Sequence, residues 1–226
     1  MNSTFFARSF FALLALSLFS CQDRETAPVS GQLFTSIQPD YSGIDFNNRV
    51  AYTEELNCYT FRNFYNGGGV GIGDFNNDGL PDVFFCGNMV SNRLYLNKGN
   101  FKFEDVTEQA GTGSEGVWSS GVAVADVNGD GWLDLYVCKS GPPGGQKRHN
   151  ELFINNALEG QIPSFTEKSR EMGLQDEGLS VHATFFDYDR DGDLDVYLLN
   201  NSLRSVGGYD LIKDQRNKPD PQGGNK

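Results

Sequence analysis

The hydrophobic positions of this chain recur at every second residue over short runs, not at helical spacing. Val70 and Ile72 alternate with glycines, and Val122 and Val124 alternate with small residues. Period two with β-branched side chains predicts strands. A glycine or alanine face on such a strand implies that another segment packs very close to it. Further along, "VFFC", "LYVC" and "VYLL" predict second strands, and "RLYLN" and "ELFIN" predict third strands. "FKFEDVT" and "SFTEK" predict fourth strands, with Lys98–Gly99–Asn100 as a hairpin turn between the third and fourth. No helical pattern separates these runs.

The runs are copies of one unit. "GVGIGDFNNDGLPDVFFCGN" spans residues 69–88, "GVAVADVNGDGWLDLYVCKS" spans 121–140, and "ATFFDYDRDGDLDVYLLNN" spans 183–201. The first Asp of each copy is Asp74, Asp126 and Asp187, so the spacing is 52 and then 61 residues. The flanks repeat too: Asn, an apolar-aromatic pair, Asn, a turn, and a polar run to Gly, in residues 92–111 and 150–173. Four strands repeated every 50 to 60 residues predict the blades of an all-β propeller, each needing a neighbour to cover its faces. About three blades are present. Three cannot close a ring, and the third stops early, so the chain reads as an incomplete part of a longer propeller protein.

Composition agrees with such a chain. The 226 residues are 38% hydrophobic and 13% aromatic, sufficient for a core, and 27 glycines suit many turns. The net charge of −12 argues against nucleic acid and anionic membrane surfaces as partners. The acid is also local. Asp74, Asp78, Asp82, Asp126, Asp130, Asp134, Asp187, Asp189, Asp191, Asp193 and Asp195 fall in three short clusters, each between the first and second strands of a unit.

Within each nine-residue cluster, oxygen-bearing side chains alternate. Positions 1, 3, 5 and 9 are Asp74, Asn76, Asp78 and Asp82; Asp126, Asn128, Asp130 and Asp134; and Asp187, Asp189, Asp191 and Asp195. Position 6 is Gly79, Gly131 or Gly192. Position 7 is Leu80, Trp132 or Asp193, a variety that suggests a backbone carbonyl ligand. Such a set suits a hard cation that takes roughly six to eight oxygens. Mg²⁺ keeps its waters, so the pattern favours Ca²⁺ at about three sites. A helical calcium loop needs a bidentate Glu at position 12, where this chain has Phe85, Val137 and Leu198. The loop therefore reads as the tip of a β-hairpin. A metal-free acidic turn is disfavoured, because three carboxylates within nine residues repel one another.

These residues resemble the FG-GAP/VCBS repeat family. The resemblance rests on the loop D-x-[DN]-x-D-G-x-x-D, the Gly-Val approach to it, and the "NRLYLNKGNFKFEDVTEQAG" continuation. The flanking strands are most similar to the branch that includes cartilage acidic protein and ASPIC/UnbV-type bacterial lipoproteins. Residues 43–70 are similar to the opening of large lipoproteins from Bacteroidetes-type bacteria. The resemblance implies a propeller like the integrin α-subunit head, commonly seven-bladed, with Ca²⁺ in the blade hairpins.

The first twenty residues read as a signal peptide: Arg8 supplies the positive region and "FFALLALSLFS" the apolar one, too short to span a bilayer. Cys21 directly after "LFS" resembles a lipobox cysteine and would be the lipidated residue, although Phe19 departs from the usual small residue there. An ordinary cleaved signal with Cys21 incidental is the alternative. Residues 21–60 form a lead-in in which "GQLFTSI" could supply a closing strand, and residues 61–226 hold the repeats. "GGNK" at the end resembles the start of a third strand. Cys86 and Cys138 hold equivalent places after the loops and read as small buried hydrophobes in preference to disulfide partners.

Catalytic motifs are missing: the two histidines, His149 and His182, lie far apart, and no metalloprotease or nucleophile-elbow pattern occurs. His182 reads as blade-interface packing. Trp118 and Trp132 read as core packing in preference to sugar stacking. The expected function is a calcium-stabilised, non-catalytic adhesion or binding propeller of the cell envelope. It would be an outer-membrane or cell-surface lipoprotein, attached to the membrane by its lipid anchor only and binding a protein or glycan ligand. An accessory or N-terminal part of a surface polysaccharide-processing or nutrient-capture protein is the alternative.

Overall fold

The computed structural model describes residues 33–114, 118–141 and 148–201. The chain divides into two compact units, Met1–Ile37 and Gln38–Lys226. In the first, residues 33–37 carry no strand. The signal segment, Cys21 and "GGNK" lie outside the described residues.

The second unit is almost entirely β. Its first sheet is β1 (Val70–Gly73), β2 (Asp82–Phe85), β3 (Arg93–Asn97) and β4 (Phe103–Asp105), hydrogen-bonded in chain order. Its second is β5 (Ser119–Ala125), β6 (Asp134–Lys139), β7 (Glu151–Asn155) and β8 (Phe165–Glu167), in the same order. The third is the hairpin β9 (Leu179–Phe186) and β10 (Asp195–Asn201). All pairings are antiparallel. These are three consecutive propeller blades, two of four strands and one of two among the described residues, in an open array. No helix among the described residues is long and apolar enough to cross a membrane.

Two single helical turns accompany the strands: α1 (Pro39–Ser42), ahead of β1, and α2 (Thr107–Ala110), after β4. The second shortens the strand expected over residues 101–107. Asp105 Oδ1 accepts from the Thr107 amide at 3.0 Å, and Thr107 Oγ1 accepts from the Leu94 amide at 2.9 Å. These side-chain bonds replace ladder pairing and turn the chain into a helical turn.

The blades pack face to face. Phe84, Cys86, Leu94 and Leu96 of the first blade meet Val122, Leu135, Val137 and Phe153 of the second. The other face of the second blade, with Tyr136, Cys138 and Leu152, meets Ala183 and Leu198 of the third. Strand β6 is thus buried on both sides, which explains why "LYVC" is apolar at every position and does not alternate. The first strands approach where the sequence is glycine. A Cβ on Gly69 would lie 2.8 Å from Gly121 Cα, and one on Gly71 would lie 2.9 Å from Val124 Cγ2.

Burial also takes in a charge. Lys139 is fully buried and pairs with Glu151 at 2.9 Å, while its Nζ donates to Ser114 Oγ and Ser119 Oγ. Trp118 is a core residue, 5.1 Å edge-on to Phe61 and 5.6 Å from Phe64. His182 differs from its expected role: its backbone lies against Gly121, but alternation along β9 turns the side chain outward, and it is exposed. Cys86 and Cys138 are buried free thiols and Cys58 is an exposed one. Burial pushes the Cys86 thiol up to about 12 and raises Cys138 further. Iodoacetamide applied to the folded chain should therefore alkylate Cys58 within minutes and leave Cys86 and Cys138 unmodified until denaturant is added, as read by peptide mass mapping. Equal labelling of the three would contradict the packing of the two blade interfaces.

Candidate metal centres

Each acidic loop joins the first two strands of a blade: residues 74–82 join β1 to β2, 126–134 join β5 to β6, and 187–195 join β9 to β10. The loops fold inward on their own amides. In the first, Asp74 accepts from the amides of Asp78 at 3.1 Å and Gly79 at 2.8 Å. Asn76 Oδ1 accepts from the Asp78 amide at 3.3 Å, and Asp78 Oδ1 accepts from the Leu80 amide at 2.9 Å. The second loop repeats this: Asp126 accepts from Asp130 and Gly131, Asn128 from Asp130, and Asp130 from Trp132. In the third, Asp187 accepts from Arg190 and Gly192, and Asp191 from Asp193. Gly79, Gly131 and Gly192 all have φ between 86° and 96°, which is why position 6 is glycine.

The ninth-position carboxylates are set differently. Asp82 and Asp134 are fully buried, whereas Asp195 is only partly so. Asp82 and Asp134 bridge their loops to the third strand of their own blades. Asp82 accepts from the Phe75 amide at 2.9 Å and the Asn97 amide at 2.8 Å. Asp134 accepts from the Val127 amide at 2.9 Å and the Asn155 amide at 2.8 Å. Asp195 accepts from the Tyr188 amide at 2.9 Å. Burial pushes Asp82 up to about 6, against the two amide bonds that lower it, and the charges of Asp78 and Asp74 push the same way. Asp134 is raised for the same reasons. No Lys or Arg forms an ion pair with a loop carboxylate among the described residues. A buried carboxylate crowded by two others is an environment that a cation relieves.

The donor set fits a hard divalent ion, since every candidate side-chain ligand offers oxygen. In the third loop, carboxylate oxygens of Asp187, Asp189 and Asp195 lie within 4.8 Å of one another. Two oxygens bound to one calcium at about 2.4 Å can be at most about 4.8 Å apart, so this spacing is compatible with a shared ion. In the first and second loops the third position is an amide, Asn76 or Asn128, whose Nδ2 donates to Asp78 or Asp130 at 3.0 and 2.9 Å. Leu80, Trp132 and Asp193 hold position 7 in the three loops.

Sequence reasoning missed Asn97 and Asn155, the last residues of β3 and β7. Besides binding the ninth-position Asp through their amides, their side chains cap the loop ends: Asn97 Nδ2 donates to the Pro81 carbonyl at 2.9 Å and Asn155 Nδ2 to the Leu133 carbonyl at 3.2 Å. The signal was visible, because a polar residue recurs after each apolar third strand, in "RLYLN" and "ELFIN".

Comparison with known proteins agrees with this geometry. Residues 74–137, from the start of the first loop into β6, match the FG-GAP-like repeat family. The chain is 27% identical over 181 residues to cartilage acidic protein 1 of Xenopus tropicalis, covering 79% of this chain and 26% of that protein. It is 27% identical over 179 residues to the Homo sapiens protein of the same name, with 78% and 26% covered. The chain thus spans about a quarter of the length of the curated relatives it matches. Loop, hairpin and blade agree with these matches: residues 74–137 are similar to the FG-GAP-like repeat family, and the chain is similar to cartilage acidic protein 1.

Proposed function

We propose that the chain is part of an exported, non-catalytic binding or adhesion propeller of the cell envelope, stapled at its blade hairpins by calcium. The observation that carries this reading is the repeated oxygen-only loop, with a buried, bridged carboxylate at its ninth position in the first two blades. The ligands would be the side chains at positions 1, 3, 5 and 9 of each loop and the carbonyl at position 7. A bound divalent cation supplies charge compensation there. It would keep the carboxylates ionised, which disfavours a general-acid role for them. Cys21 would carry the lipid anchor, and the partner would be a protein or glycan at the cell surface.

Calorimetric titration of the chelator-stripped full chain tests the metal: about three calcium ions are expected, one fewer in each variant that changes positions 1 and 5 of one loop to Asn. Uptake of no calcium would sink the reading. Incorporation of labelled palmitate, lost in Cys21→Ser, tests the anchor. Retention of the calcium-loaded chain on an array of glycans and matrix proteins, abolished by EGTA, tests the binding role.

A further inference from the structure

The first two loops are joined by a continuous path of short hydrogen bonds that crosses from one blade to the next. Asp82 Oδ2 accepts from the Phe75 amide at 2.9 Å, and the Phe75 carbonyl accepts from Asn155 Nδ2 at 2.8 Å. The Asn155 amide in turn donates to Asp134 Oδ1 at 2.8 Å. Phe75, Asp82 and Asp134 are fully buried and Asn155 is nearly so, which shields every link from water. One side chain, Asn155, thus binds the backbone of the first loop, caps the end of the second and sits beside the second loop's last carboxylate. Asn97 in the first blade makes the equivalent cap, to Pro81. The bond to Phe75 is therefore an addition that reaches the preceding blade.

A second contact runs in parallel. The Gly160 amide, in the β7–β8 connection of the second blade, donates to the carbonyl of Asn76 at 2.9 Å. Asn76 is the third position of the first loop. Asn77 Nδ2 also approaches the Gly131 carbonyl of the second loop at 3.4 Å. The first loop is consequently positioned by the blade that carries the second.

We propose that the first and second acidic loops take up calcium as a coupled pair, with Asn155 as the residue that positions each for the other. This rests on the calcium reading above. An ion that fixes Asp82 also fixes residue Phe75, whose carbonyl orients Asn155. Asn155, with its side chain held there, presents its backbone N–H to Asp134, so the second loop has less ordering left to complete. Linkage makes the effect reciprocal. Bonds in sequence within a dry interior reinforce one another, which favours passing order from loop to loop.

Trp132 lies at position 7 of the second loop and reports on it. The test is a calcium titration of the full chain followed by tryptophan fluorescence, with Trp132→Phe identifying the part of the signal that belongs to this loop. The paired substitution Asp74→Asn with Asp78→Asn disables the first loop without touching the buried carboxylates. It should raise the second loop's calcium midpoint about fivefold or more, a typical coupling between sites. In an Asn155→Ala background the same pair should no longer move that midpoint. Asn155→Asp, which keeps the volume and the backbone donor but removes the amide donor, gives the same comparison where the alanine variant does not fold. A second-loop midpoint indifferent to the first loop overturns the coupling while leaving calcium binding intact. A coupling that persists undiminished in the Asn155 variants overturns the assignment of Asn155. Calorimetry that detects no calcium uptake at all removes the parent reading, and the coupling with it.

Discussion

Chelating divalent cations should lower the thermal midpoint of the chain by about 10 °C. The size follows from mass action. At calcium about tenfold above the dissociation constant, a site that exists only in the folded state contributes about 1.4 kcal/mol, so three contribute about 4 kcal/mol. A domain of this length shifts by roughly 2–4 °C per kcal/mol. The two deepest carboxylates make the effect larger than loop ordering alone would. Asp82 and Asp134 are fully buried, each beside two further loop carboxylates, and removing the cation leaves that charge uncompensated. The measurement is a differential scanning calorimetry melt in 2 mM calcium against the same buffer with excess EGTA, with magnesium as comparator. Magnesium should restore little of the loss, because it gives up its waters reluctantly. Superimposable melts in calcium and EGTA would mean that the loops hold themselves together by their own amide bonds.

What the sequence made legible, and what it hid, follow from the range over which each feature is determined. The hairpin tips are local. A glycine at φ near +90°, alternate Asp and Asn bonding amides a few residues away, and an apolar strand on either side are all written within about twenty residues. The close approach of β1, β5 and β9 was legible for a related reason, since glycine and alanine on one face leave room only for another backbone. Asn155 was visible as a recurring letter, but its reach to Phe75 was not, because that partner lies 80 residues earlier, on another blade. The burial of Lys139 depends on Ser114 before β5 and on Glu151 of β7, partners that its own strand does not name. His182 was misplaced because its backbone, not its side chain, fills the interface against Gly121. Local pattern specified the blades, and the groups that join them depend on partners that no local pattern names.

Gly121→Ala should cost about 3 kcal/mol, the upper end for adding a methyl group to a well-packed interior, and lower the midpoint by about 6–12 °C. The added Cβ would lie 2.1 Å from the Val181 carbonyl oxygen, 3.1 Å from its carbon and 3.3 Å from His182 Cα. All three are backbone atoms, so no rotamer change can make room, and β5 and β9 must separate. That separation pulls on bonds that close the same seam. Ser120 Oγ donates to the Ser180 carbonyl at 2.6 Å and lies 3.1 Å from the Cys138 carbonyl. Asn150 Nδ2, bonded to Ser180 Oγ at 2.9 Å, lies one step further along. Gly99→Ala is the control. Gly99 has φ +81° but open space around it, so alanine there meets only backbone strain, about 1 kcal/mol. Hydrogen exchange separates the two mechanisms. In Gly121→Ala the amides of β9 and β10 should lose protection before those of β2 and β3, because the third blade loses its seat on the second. In Gly99→Ala any loss should stay at the β3–β4 turn. If the two variants melt together, or if β9 keeps its full protection in Gly121→Ala, the seam between the second and third blades is looser than a backbone-to-backbone contact requires.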